Sequence, residues 1–305
     1  MTNRLMTPTL CPARARAWLL VIGASLLLLA CGSSGPEATP AVDGFGGSVK
    51  YRAAVSAHGC CTLVAHAGGS VDGNPYTNSR EAVMASIESG FQLLELDFSR
   101  THEGDWFTTH DWKYWSQRTG YTDSLPPSTH DVLARKTAFT SGGQSMTIAG
   151  TYTTMSLDDL LDLLGAHRGL QIVTDTKDDE TTVALIKRLQ QSPRFDQFVF
   201  QTYTLEGLQE AAKHVAERQL SLSTYRLDWF SPDAYDPDFL ARVNEYPELF
   251  SFTLPMLAAA DAAKMQRIKT ALSIPIWTHG PPARINSRNL HTLLAKHGVN
   301  GVFVD

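Results

Sequence analysis

The sequence predicts an α/β protein folded as a (β/α)8 barrel, with an insertion after the second strand. Three observations lead there. Eight short apolar, β-rich runs alternate with helical patterns along the chain. About 255 residues remain once the leader and tether described below are set aside, a usual size for one such barrel. The acidic and histidine residues that stand out fall at the C-terminal ends of predicted strands, the end where barrels of this kind carry their ligands.

Residues 1–30 read as a leader rather than part of the fold. Arg4, Arg14 and Arg16 form a basic start, and Trp18–Ala30 is an apolar run too short to span a bilayer, which takes ~20 residues. The run ends Leu28-Leu29-Ala30-Cys31-Gly32, which resembles the lipobox of bacterial lipoproteins. That resemblance implies lipidation of Cys31 and an N-terminal lipid anchor in a bacterial cell envelope, facing the periplasm or exterior. Residues 31–47, rich in Gly, Ser, Pro and Ala, read as a flexible tether. The globular domain is then 48–305.

Strands are expected at Thr62–His66, Gln92–Phe98, Leu170–Thr174, Gln197–Thr202, Leu220–Thr224, Leu249–Leu254, Ile274–Thr278 and Gly301–Val304. Helices are expected at Asn78–Ser89, closed by Gly90, and at Leu157–Leu164, Asp179–Gln190, Leu205–Arg218, Pro237–Asn244, Ala258–Ala271 and Ser287–His297. Two places break the rhythm. Thr101–Asp105 has tight-turn composition, so Trp106–His110 reads either as a hairpin extension returning His110 over the barrel mouth or as a barrel strand itself. The polar, Gly- and Thr-rich stretch at about 113–154 is the insertion, placed to shape substrate access.

Losing three leader arginines takes the net charge from −5 to −8. Such a chain has no electrostatic reason to seek nucleic acid. Cys11 lies in the leader and Cys31 is the lipid site, leaving the adjacent pair Cys60-Cys61 with no distant partner and hence no disulfide framework. The pair reads as two buried thiols or a strained vicinal disulfide.

The chemistry concentrates in VAHAGG, LLELDFS, FTTHDW and VTDTK. His66 ends the first strand. Glu95 and Asp97 stand two apart on the second, so both point to one face. Asp175 and Lys177 end the third run. Two imidazoles, His66 and His110, with nearby carboxylates are what metal-assisted attack on a phosphodiester requires: a base, an acid and a hard cation. Three carboxylates suit one divalent cation, Mg²⁺ or Ca²⁺, better than Zn²⁺. Gln201, Tyr203, Tyr225, Trp277 and His279 fall at later strand ends, where they would line a substrate pocket.

The ordered set VAHAGG, YTNSREAV, LLELDFS with FTTHDW, VTDTK, WTHG and GVNGVFVD resembles the glycerophosphodiester phosphodiesterases, from Leu63 to Asp305. The resemblance implies a TIM barrel of the phospholipase-C-like phosphodiesterase type. It also implies a bound Mg²⁺ or Ca²⁺ and cleavage of a glycerophosphodiester to glycerol 3-phosphate and an alcohol. By position it makes His66 and His110 catalytic, and Glu95, Asp97 and Asp175 metal ligands. Lys177 would sit beside the phosphate, Asn78 would open the first helix at the substrate, and Trp277 would match a family tryptophan. Three departures bear on the substrate. Ala67 replaces the usual arginine after the histidine, Thr77-Asn78-Ser79 replaces Glu-Asn-Thr, and Asp175 replaces glutamate, a pattern also found in the sphingomyelinase D branch. Two further expectations therefore stay open. One is a phospholipase acting on intact lipid, of phosphatidylinositol-phospholipase C or sphingomyelinase D character. The other is a non-catalytic, ligand-binding lipoprotein.

Overall fold

The structure, a computed structural model, describes residues 62–138, 152–228, 231, 233–279 and 296–304. The leader, Cys31, the tether, Cys60-Cys61 and most of the expected helix Ser287–His297 lie outside the described residues.

In chain order the strands are β1 (Thr62–Ala65), β2 (Leu93–Arg100), β3 (Trp106–Thr108), β4 (Gln171–Asp175), β5 (Phe198–Thr202), β6 (Leu220–Ser223), β7 (Leu249–Pro255), β8 (Ile276–His279) and β9 (Gly301–Val304). All but β3 pair in parallel, and β1 bonds to both β2 and β9, which closes the eight into a barrel. The choice left open by Trp106–His110 resolves as the hairpin. β3 runs antiparallel to β2, with Phe98 opposite Thr108 and Arg100 opposite Trp106. Thr101 makes the connecting turn by accepting Gly104 N–H at its carbonyl and Asp105 N–H at its hydroxyl.

Parallel barrel strands are buried on both faces, and their alternation builds two layers. Val64, Leu93, Val173, Val199, Trp277 and Phe303 fill the interior. Leu94, Leu96, Ile172, Phe200, Leu222 and Leu254 face the other way, onto the helices. The same alternation carries Glu95 and Asp97 inward above Leu93, and Asp175 inward above Val173, with Asp97 and Asp175 directly paired.

The helices are α1 (Arg80–Glu88), α2 (Trp112–Thr119), α3 (Thr129–Leu133), α4 (Leu157–Ala166), α5 (Asp179–Leu189), α6 (Leu205–Ala212), α7 (Pro237–Val243), α8 (Met256–Ala260) and α9 (Ala262–Ala271). Local side-chain chemistry sets their starts. Ser79, Asp111, Ser128, Ser156, Asp178, Thr204, Asp236 and Asp261 each accept a backbone N–H from the first turn. Two sequence expectations need correction. The helix expected over Leu205–Arg218 stops at Ala212, because Gln219 Oε1 takes the Ala216 N–H while its amide donates to Phe195 O, turning the chain toward β6. Ala258–Ala271 is two helices, broken where Asp261 Oδ1 accepts from Ala263 and Lys264. The insertion also holds α2 and α3 with a small core of Phe107, Trp115, Tyr121 and Val132, which its polar composition concealed. No helix among the described residues is long and apolar enough to cross a membrane.

β1 runs into a short 3-10 turn, His66–Gly68, packed on α1. Gly69 has φ +90, and a Cβ there would lie 2.2 Å from Ser86 Oγ, whose hydroxyl donates to Gly68 O at 2.7 Å. Both the backbone and the space demand glycine. Gly69→Ala is therefore expected to lower the unfolding free energy by about 2–4 kcal/mol, read from the urea midpoint at constant slope. An unchanged midpoint would refute the close approach to α1.

Candidate active site

Glu95, Asp97 and Asp175 converge at the C-terminal end of the barrel, each offering an oxygen within 4.8 Å of the others. Each is held by its own set of donors. Glu95 Oε2 accepts the Ala67 N–H at 2.8 Å, from the turn whose left-handed Ala67 (φ 49) points that amide inward. Asp97 is clamped by Asn78, whose Nδ2 donates to Asp97 Oδ2 at 2.7 Å and whose Oδ1 accepts the Asp97 N–H at 2.9 Å. Asp175 Oδ1 accepts the Lys177 N–H at 3.0 Å and the Tyr203 hydroxyl.

Lys177 supplies the positive charge. Its ammonium pairs with Asp97 and, at 2.8 Å, with Asp175 Oδ2, so it stands between two of the three carboxylates. Burial opposes its charge, but Asp97 and Asp175 outweigh burial and raise it above the ordinary lysine value. Burial also disfavours the charged Asp175, yet Lys177 and the Tyr203 hydrogen bond hold its carboxyl below the usual range. Glu95 goes the other way. Burial above all, with Asp97 and Asp175 adding, pushes it up to about 8.

His66 Nε2 lies 3.7 Å from Glu95 Oε2, and its ring meets Tyr76 at 4.6 Å, His279 at 5.3 Å and Phe303 at 6.2 Å, all edge-on. His110 follows Thr109, whose N–H bonds to Asp97 O, so the hairpin brings it to the same rim. Its imidazole is 46% exposed and its Nδ1 lies 2.6 Å from Asp111 Oδ2. Asp111 also caps α2 through Tyr114 N–H.

The remaining expected residues divide. Asn78 is buried with both ends of its amide on Asp97, so it serves that carboxylate rather than an open pocket. The Tyr203 hydroxyl is likewise occupied, by Asp175 and by the N–H groups of Thr176 and Lys177. Burial, then Asp175, raises its pKa well above the usual tyrosine value. Gln201 is buried on β5, and its Oε1 accepts no hydrogen bond among the described residues. Trp277 is only 3% exposed and packs inside the barrel against Phe250 and Phe303. Tyr225 is 54% exposed on the rim, edge-on to His279 at 5.0 Å. Sequence reasoning missed Asp111, Ala67 N–H and Tyr76. Asp111 was visible as the neighbour of His110 in FTTHDW; the other two depend on a left-handed turn that no motif announces.

Solved structures that share the fold include the following three. A glycerophosphodiester phosphodiesterase from Thermotoga maritima is 16% identical, with TM-score 0.57 over 79% of this chain and 93% of that one. One from Agrobacterium tumefaciens is 16% identical, with TM-score 0.54 over 80% and 96%. A phosphodiesterase from Oleispira antarctica, in complex with the product sn-glycerol-3-phosphate, is 19% identical, with TM-score 0.57 over 79% and 92%. The likeness shows the barrel fold. No protein-family model and no curated protein matches the sequence.

Two measurements follow from the charge arrangement. Between pH 6.5 and 8 the folded chain keeps a Glu95 proton that an unfolded carboxyl near 4.5 has released, so stability falls as pH rises. His279, pushed down to about 3 by burial and His66, acts oppositely but only below its ordinary 6.5. Cation-free protein should thus lose about 2 kcal/mol from pH 6.5 to 8, and Glu95→Gln should abolish the loss. A flat profile in the parent chain would contradict the Glu95 environment. Separately, a divalent cation in this cluster would compete with the Lys177 ammonium. Lys177→Met is expected to tighten Mg²⁺ or Ca²⁺ binding about tenfold by titration calorimetry; weaker binding would show that Lys177 does not compete.

Proposed function

We propose that this chain is a metal-dependent phosphodiesterase that hydrolyses a glycerophosphodiester to glycerol 3-phosphate and an alcohol. The observation that carries the reading is the convergence of His66, Glu95, Asp97, Asp175 and Lys177 on one barrel rim. Neighbours of the same fold are glycerophosphodiester phosphodiesterases, and the one with sn-glycerol-3-phosphate supports the substrate class.

Glu95, Asp97 and Asp175 form an all-oxygen donor set that fits one Mg²⁺ or Ca²⁺. Bound there, such a cation would neutralise charge developing on the phosphoryl oxygens. The chain's own residues move the protons. With its Nδ1–H donated to Asp111, which fixes the ring, His110 is left to exchange a proton at Nε2. His66 Nε2 faces Glu95 Oε2 at 3.7 Å, and its ring is held edge-on against Tyr76. Either histidine can open the reaction as base while the other protonates the leaving alkoxide. Lys177 adds positive charge beside the phosphate.

A phospholipase acting on intact lipid is the second reading. Tyr225 and Leu257, exposed after β6 and β7, favour it because they offer apolar surface at the mouth. Lipidation of Cys31, tethering the barrel to a cell-envelope membrane, would bring either substrate within reach.

EDTA-treated protein should regain turnover with Mg²⁺ or Ca²⁺ on a panel of glycerophosphocholine, glycerophosphoinositol, lysophosphatidylcholine, phosphatidylinositol and sphingomyelin. His66→Ala, His110→Ala and Glu95→Ala should each cut kcat/KM roughly 10²–10⁴-fold. The preferred substrate selects between the two readings. A folded protein that turns over nothing and binds no cation would overturn both, in favour of a non-catalytic binding lipoprotein.

A further inference from the structure

Tyr203 stands just beyond the end of β5, its ring mostly buried and its hydroxyl on the chain's third acidic candidate, Asp175. Its hydroxyl donates to Asp175 Oδ1 and accepts the N–H groups of Thr176 and Lys177, both at 3.0 Å. The Asp175–Lys177 turn therefore wraps around a single phenol oxygen. Lys177 adopts a left-handed backbone (φ 69), and this turn carries its N–H to both Asp175 Oδ1 and the phenol. The Arg226 guanidinium lies 4.7 Å from the centre of the same ring. With Oδ1 engaged twice, the carboxylate cannot rotate freely, and Oδ2 is the oxygen turned toward the Lys177 ammonium that bridges to Asp97.

We infer that Tyr203 is a positioning residue whose hydroxyl fixes Asp175 as the third oxygen of the cation cluster. The inference rests on the cation-binding reading above. It assigns the tyrosine a task other than lining the substrate pocket, and it accounts for which oxygen of Asp175, Oδ2, is left facing Lys177 and the cluster. A hydrogen bond to a charged group is worth enough that losing it should weaken cation binding about tenfold.

The test is titration calorimetry of the full chain with MgCl₂ and, separately, CaCl₂, on wild type, Tyr203→Phe, Asp175→Asn and the double variant. Tyr203→Phe keeps the ring and should raise the cation Kd about tenfold. In the Asp175→Asn background the same change should have no further effect, because the carboxylate it positions is gone. A tyrosine that only packs would leave the Kd unchanged, or weaken both backgrounds equally; either result overturns the inference. Should Tyr203→Phe fail to fold, 3,5-difluorotyrosine at this position retains the ring shape and lowers the phenol's proton affinity. The cation Kd should then move, and an unmoved Kd overturns the inference. Wild-type protein that binds neither cation removes the cation reading and this inference together. Wild-type binding with an indifferent Tyr203→Phe removes the inference alone.

Discussion

Three carboxyl groups within 4.8 Å of one another, two of them almost fully buried, cannot all be anions without a compensating cation. Much of the surrounding structure answers that constraint. Lys177 is drawn between Asp97 and Asp175, Glu95 retains a proton to well above its ordinary range, and each carboxyl also accepts a hydrogen bond from a neutral polar group. Those groups come from separate parts of the chain: the Ala67 amide after β1, the Asn78 side chain before α1, and the Tyr203 phenol after β5. Each would be an oddity alone. Together they hold a concentrated negative charge in a fixed shape, with three carboxyl oxygens close enough to hold one metal ion.

The barrel makes this assembly possible by register alone. Parallel strands with matched alternation bring Asp97 and Asp175 side by side, four positions beyond interior Leu93 on β2 and two beyond interior Val173 on β4. The β2–β3 hairpin then continues past Asp97, and Thr109 N–H closes back onto Asp97 O. One strand thus delivers two acids from its own face and a histidine from its return. Thr108 ties the hairpin further by donating to Asn78 O, so the clamp on Asp97 and the hairpin that carries His110 are a single hydrogen-bonded unit.

What could be read from the sequence follows the range of the interactions involved. Strand alternation and helix caps are local, so the eight barrel strands, the rim position of Glu95 and Asp97, and the starts of helices such as α5 and α7 were legible. The end of α6 was not, because it is set by Gln219 bonding back to Ala216 and across to Phe195. Asn78, Tyr203 and Trp277 share this obscurity. Asn78 at a helix start and Tyr203 and Trp277 at strand ends suit a pocket equally well, and only partners 19, 28 and 26 residues away reveal two as supports for carboxylates and one as interior packing. The insertion's helices were hidden for a different reason: their small core draws on four aromatic or aliphatic side chains scattered through polar sequence.

The mouth is electrically lopsided, and that has a consequence for what it can accept. The β2–β4 side carries the acids and Lys177, whereas the β8–β9 side presents His279 stacked flat on Phe303 at 3.9 Å, with Tyr225 and His66 edge-on to it. Burial, together with His66, keeps His279 neutral, so its ring and that of Phe303 offer a polarizable, uncharged face. Ala67, where the resembled family carries an arginine, adds no cation, and its side chain is buried. On the proposed reading, a phosphate would meet the Lys177 ammonium on the acidic side, with its organic substituent toward the rings. Discrimination among phosphodiesters would then come from the alcohol meeting that aromatic side, while the acidic side handles a feature common to them all.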